Sequence, residues 1–154
     1  MKEKFTLEEV ESSIENTVLD MGDDYFTDGR PHPMIDPSLR NERIKKETLD
    51  SETSVILFDC VIGYGSHEDP AATLVKAIEQ AKNNLSKEGR YVSFVGSVCG
   101  TDMDPQIREE QEKKLKEVGA IMMSSNAQAA RMACLIADRG NNIDLLYENN
   151  RGLE

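Results

Sequence analysis

The chain has 154 residues, with 18 basic and 29 acidic side chains and a formal charge of −11. That length suits one domain, and the acidic balance excludes a nucleic-acid backbone or an anionic membrane face as the main partner, because both need clustered Lys and Arg. No apolar run approaches the ~20 residues of a membrane span, and 38% hydrophobic residues match a soluble globular domain.

Thr6 to Thr17 reads as a helix, with Thr6 as cap, Glu9 three residues on, and Val10 and Ile14 on one face. Residues 1–17 are therefore expected as an N-terminal helix without signal-peptide character. Val18-Leu19 could begin a short strand. Gly22 to Pro37 holds three prolines and two glycines, which excludes regular structure there. Tyr25, Phe26, Met34 and Ile35 favour an ordered loop. Pro37 suits the first turn of a helix reaching about Leu49.

Val55 to Ile62 is a nearly continuous apolar run with β-branched residues, the mark of a strand buried on both faces. After the Gly63–Glu68 loop, Asp69 and Pro70 open a helix with Leu74, Val75, Ile78, Ala81 and Leu85 as its stripe. Gly89 ends it. Tyr91–Val95 is the next strand, Gly96–Met103 a loop, and Asp104-Pro105 the start of a helix ending at Gly119. Ala120–Met123 is a third strand. Ser125 and Gln128 form a capping box for the last helix, which ends near Gly140. Residues 141–154 are a polar tail in which Ile143, Leu145, Leu146 and Tyr147 could dock as an edge strand. Three strand–helix units in succession predict parallel neighbours joined by right-handed crossovers. The fold class is α/β, a doubly wound, mainly parallel sheet in a single domain.

Gly65–Pro70 and Gly100–Pro105 share the grammar Gly-x-x-x-Asp-Pro. Each follows a buried strand and opens a helix at the carboxyl edge, where open α/β sheets bind ligands. Gly63, Gly65, Ser66, His67, Gly100 and Thr101 are therefore candidate ligand-binding residues. The competing reading is a pair of ordinary, well-capped βα turns. Glu68, Asp69, Asp102 and Asp104 would repel a bare anion there, so a Mg²⁺-bearing or backbone-held ligand fits better.

Arg30 and His32 are candidate catalytic residues. His32 stands between two prolines, where a side chain can be aimed at low entropic cost, and Arg30 offers a planar fork for carboxylate or phosphate. The Arg30–Asp36 strap would lie over the two glycine loops; alternatively it is a structural strap with Arg30 paired to Asp23, Asp24 or Asp28. Cys60, Cys99 and Cys134 form no CxxC, and an odd count without a secretion leader reads as reduced cytoplasmic thiols. Cys60 and Cys134 read as packing residues. No metal-ligand spacing occurs.

Gly22–Pro37 resembles the GDDxFTxGRPHPMIDP segment of FdrA proteins. Gly63–Ala71, Ser97–Gln106 and Ser125–Ala130 resemble three further FdrA signatures, which adds Ser125 and Asn126 as ligand-binding candidates. FdrA proteins are similar to the α subunit of succinyl-CoA synthetase, and this chain would correspond to its flavodoxin-like CoA-ligase domain. The resemblance implies an acyl- or carbamoyl-transferring assembly in purine and allantoin breakdown, linked with the carbamoyltransferase acting on oxamate. It implies a CoA ester or a nucleotide with Mg²⁺ as cofactor. The implied partners are a CoA-binding domain or other subunits in a homo- or hetero-oligomer. Two departures stand out. The loop matching the phosphohistidine loop, Gly96 to Asp104, has no histidine. The CoA-binding domain and the first Gly-rich strand–turn of the ligase domain are missing, so the domain would lack its first strand and be inactive alone. A non-catalytic assembly module is the alternative.

Overall fold

Along the first strand, Ile56, Phe58 and Cys60 alternate with Val55, Leu57 and Asp59, so the two sets face opposite sides of a sheet. The computed structural model, which describes residues 10–141, shows what each side meets. Strands β1 (Val55–Val61), β2 (Ser93–Cys99) and β3 (Ile121–Met123) form a sheet of order β1-β2-β3. Both pairings are parallel, as the apolar runs predict.

Helices α2 (Ser38–Glu47), α3 (Pro70–Lys87) and α4 (Arg108–Glu117) cover one face. There Phe58, Cys60, Phe94 and Val98 join Ile44, Leu74, Ile78, Leu85 and Leu115 in one buried cluster. Helix α5 (Asn126–Ala137) packs on the other face, against all three strands, where Val95 is fully buried. The sheet is thus wound on both sides, and its carboxyl edge carries the βα loops.

Several elements differ from expectation. Residues 10–17 form turns, not a helix; Thr6–Glu9 lie outside the described residues. The buried Arg43 takes the Val10 carbonyl at 2.8 Å and the Ser13 hydroxyl at 3.1 Å. Ile14 N–H turns to the Thr17 hydroxyl at 3.0 Å, and Glu15 has φ 50°. Side chains thus take the groups a helix would use. No strand forms at Val18-Leu19, and Val18 is 96% exposed. A four-residue helix, α1 (Asp24–Thr27), stands in the Pro-rich loop, capped by the Asp23 carboxylate on Tyr25 N–H at 2.9 Å.

Strand β2 begins two residues late and runs on through Gly96–Cys99. Val98 is buried and Ser97 donates to Asp59, so tertiary contacts turn a small-residue stretch into strand. Helix α4 starts at Arg108, not at Asp104-Pro105. The Asp104 carboxylate turns back to Thr101 N–H at 2.6 Å, and Gln106 is drawn into the neighbouring loop. Cys134 is exposed, because the face α5 buries runs through Ala129 and Leu135. The proposed edge strand at 143–147 lies outside the described residues.

Candidate functional site

Adjacent parallel strands place the loops after β1 and β2 side by side, and Gln106 locks them together. Its Oε1 accepts from Gly63 N–H at 2.9 Å. Its Nε2 lies within hydrogen-bond reach of Gly63 C=O at 3.2 Å, Ser66 Oγ at 3.0 Å and His67 C=O at 2.9 Å. Gln106 is buried at 7% exposure. Gly100 has φ 157°, and a Cβ there would strike Ile62, so only glycine lets the second loop fold against the first.

This geometry uses up much of what the loops could offer a ligand. Ser66 Oγ donates to Gly63 C=O at 2.8 Å. Thr101 N–H and Oγ1 both bond the Asp104 carboxylate. His67 Nδ1 accepts from Asp69 N–H at 3.0 Å. Gly65 is exposed in the first loop. The N-terminus of α3 is filled too: Pro70 has no N–H, Ala71 N–H bonds Gln111 Oε1 at 2.9 Å, and Ala72 N–H bonds Asp69 at 3.1 Å. It is a capped helix end, not an open anion cradle.

The Asp69 cap couples α3 to α4, because its other oxygen meets Lys114 Nζ at 2.5 Å. Partial burial pushes the Asp69 carboxyl up, but bonds from Lys114, Ala72 N–H and Gln111, with the Lys114 charge, outweigh that and hold it below its ordinary value. A depressed carboxyl contributes stability above its unfolded pKa of about 3.9 and loses it as pH falls through the folded value. Asp69→Asn is therefore expected to flatten the acid limb of stability below about pH 4. Both side chains are more than a third exposed, so the effect stays under about 1 kcal/mol. Urea melts of both forms from neutral pH into acid would check this; equal acid limbs would refute the coupling.

The Pro-rich strap meets the first loop through its backbone, His67 N–H donating to Met34 C=O at 2.7 Å. The side chains singled out on it are placed differently. His32 Nδ1 accepts from Met34 N–H at 3.2 Å, and its Nε2 edge packs on Gly22. Arg30 is exposed and bonds through its backbone to Thr27 C=O at 3.0 Å. Among the described residues, no hydrogen bond or ion pair joins the Arg30 or His32 side chain to either glycine loop.

A second polar cluster sits under the opposite helix. Asp59, Ser97 and Met123 are register neighbours across the three strands. Asn126, the first residue of α5, donates to both Asp59 carboxylate oxygens at 2.8 and 2.9 Å. The Ser97 hydroxyl donates to one of them at 3.1 Å. Ser125 Oγ is taken by Gln128 N–H at 3.3 Å. The Arg40 guanidinium reaches the Asp59 carbonyl at 3.2 Å; burial lowers its pKa, against which nearby Cys60 and Asp59 act. Asp59 is exposed, so it is an oriented carboxylate open to a ligand donor. Asp59 and Ser97 are candidate residues that sequence reasoning passed over, although one acid inside an apolar strand is a readable signal. Cys60, beneath the same strand, is inert: burial raises its thiol to about 12. Among the described residues, no group of His, Cys, Asp and Glu is arranged to hold a metal, and no helix is long and apolar enough to cross a membrane.

Residues 3–136, which take in both loops and the α5 cluster, match the sequence profile of the CoA-ligase family. The chain belongs to the CoA-ligase family. The uncharacterized protein YahF of Escherichia coli (strain K12) is 42% identical over 130 residues, covering 84% of this chain and 25% of YahF. The chain thus spans about a quarter of that relative's length.

Proposed function

We propose that this CoA-ligase domain is of FdrA type and contributes a ligand crevice to an acyl- or carbamoyl-transferring assembly, without being active alone. The observation that carries the reading is the oriented, open carboxylate of Asp59 at the carboxyl edge of a CoA-ligase domain. A carboxylate held by Asn126 and Ser97 suits a ligand N–H, such as a pantetheine amide of a CoA ester or a carbamoyl nitrogen. Positive charge for a phosphate would come from Mg²⁺ or from a partner domain, because the α3 N-terminus is filled from within. The assembly would work in the cytoplasm, where the three free cysteines stay reduced. The partner would be a CoA-binding domain or another subunit.

The loop after β2, Gly100 to Ile107, contains no histidine, so no phosphohistidine is expected there. Incubation with ATP or GTP and Mg²⁺ is expected to leave no acid-labile phosphate on the chain; stable label on His32 or His67 would restore a ligase mechanism. Titration calorimetry with acetyl-CoA tests the crevice. Asp59→Asn is expected to weaken binding about tenfold or more, the cost of one charge-assisted hydrogen bond. A second reading, a non-catalytic assembly module, is favoured by the internally satisfied Ser66, Thr101 and Gln106. No heat with acetyl-CoA from either form would select it.

A further inference from the structure

A carboxylate accepts about four hydrogen bonds, two on the inner side between its oxygens and one on each outer flank. A fork of parallel N–H groups, as in a guanidino or ureido group, pairs with the inner side. At Asp59 that side is taken. Asn126 Nδ2 lies 2.8 Å from Oδ1 and 2.9 Å from Oδ2, so one nitrogen stands between the two oxygens. The buried Ser97 hydroxyl donates to Oδ1 at 3.1 Å, which uses the outer flank of that oxygen. Both donors are fixed by the fold. Ser97 is the β2 register partner of Asp59, and Asn126 opens α5 directly after its Ser125 cap. The three bonds lock the carboxylate, so it cannot turn its inner side outward without losing them. Asp59 is nevertheless exposed, and among the described residues nothing occupies the outer flank of Oδ2.

We infer that Asn126 sets the specificity of this site: by filling the inner side of the Asp59 carboxylate it leaves one place, at Oδ2, for a single neutral N–H, so the ligand group is an amide and not a ureido or guanidino fork. The inference rests on the crevice reading above and adds a donor count to it. Either amide of a pantetheine arm meets that count. A carbamoyl group on oxygen offers one nitrogen and passes the same filter, whereas a carbamoyl group on nitrogen is a ureide and gains nothing from its second N–H. Charge selects in the same direction. Arg40 holds the main-chain carbonyl of Asp59 at 3.2 Å, and its charge already acts on the carboxylate. An arriving cation meets that guanidinium; a neutral amide does not.

N-propylacetamide and N-propylurea make a matched pair of probes. Both are neutral and nearly the same size, but only the urea presents two parallel N–H groups. Magnetic resonance titration, following the Asp59 and Asn126 backbone amides, reads weak binding directly, with acetyl-CoA titrated alongside. The parent chain is expected to bind the two probes within about threefold of each other, less than one charge-assisted hydrogen bond would give. In Asn126→Ala the urea is expected to gain about tenfold over the acetamide, because its second N–H then finds an oxygen. Asn126 is exposed at the first position of α5 and alanine favours a helix, so circular dichroism should not change. A parent that already prefers the urea tenfold, and loses the preference in Asp59→Asn, overturns the inference and leaves the crevice standing. An Asn126→Ala protein with the parental ratio overturns it as well, since the inner side would not be what limits the ligand. If acetyl-CoA and both probes leave the two amides unmoved, the crevice reading itself falls and takes the inference with it.

Discussion

Gly96→Ala is expected to cost about 3 kcal/mol of stability, at the upper end of what forced overpacking does. Gly96 pairs in register with Phe58. A Cβ on Gly96 would lie 2.6 Å from Phe58 Cε2 and 2.7 Å from the Phe58 carbonyl oxygen. The ring cannot swing clear, because Phe58 is buried among Ile44, Leu74 and Phe94 in the core cluster. The carbonyl cannot retreat without breaking the strand pairing. For a domain of this size the melting temperature should fall by about 10 °C. Phe58→Leu should recover part of the loss in the double variant, since two contacting sites are not additive. The carbonyl clash would persist, so recovery would be incomplete. A Gly96→Ala protein as stable as its parent would mean that β1 and β2 do not pair in this register.

That glycine also shows where sequence and structure part. The three strands, their parallel order and the caps at Asp69 and Ser125 are legible because each rests on a local signal. Those signals are an apolar run, an Asp-Pro pair and a Ser-x-x-Gln spacing, and they agree with the tertiary outcome. Gly96-Ser97 reads locally as a turn. It is strand because the Phe58 ring lies over one residue and Asp59 accepts from the other. The helix expected over Thr6 to Thr17 fails within its described part, Val10–Thr17, for the same kind of reason. At Val10–Thr17 the deciding partner is Arg43, more than thirty residues away in the chain, beyond any periodicity rule.

The candidate site is legible in the sequence in position but not in detail. The place of the loops at the carboxyl edge follows from strand order alone, and the FdrA-like motif singles out Asn126 as a candidate. Arg30 and His32 stand out because prolines stiffen that stretch. Stiffness fixes a side chain without saying where it points, and neither one bonds the loops. Asp59 was absorbed into an apolar run in which it was the exception. The acidic loops, read as open to a ligand, spend their polar atoms on one another and on Gln106.

Gln106 is the residue on which that loop pair depends, and replacing it with leucine is expected to cost about 3 kcal/mol. The volume is nearly kept, so packing contributes little; the loss comes from hydrogen bonding. Gly63 N–H would lose its acceptor, and the Gly63 and His67 carbonyls and the Ser66 hydroxyl would lose a donor. Stranding a buried polar group costs about 1–3 kcal/mol. Gly63 N–H, Ser66 and His67 are part-buried, so water relieves some of that, and the sum stays near the cost of one or two fully stranded groups. Gln106→Glu makes the sharper comparison. It keeps the acceptor for Gly63 N–H but faces two carbonyls and a carboxylate-bearing Asp104 loop with no donor when ionised. Its destabilisation is therefore expected to grow as pH rises through the ordinary glutamate range near 4.3, whereas that of Gln106→Leu should not vary there. Amide exchange at Gly63 should speed up in Gln106→Leu, which removes its acceptor, more than in Gln106→Glu, which keeps it, while that at Val95, within the sheet, follows only the global loss. If Gln106→Leu leaves both stability and Gly63 exchange at parental values, the two glycine loops are held by their backbones alone. The crevice would then have to be redrawn around Asp59 and Asn126 without them.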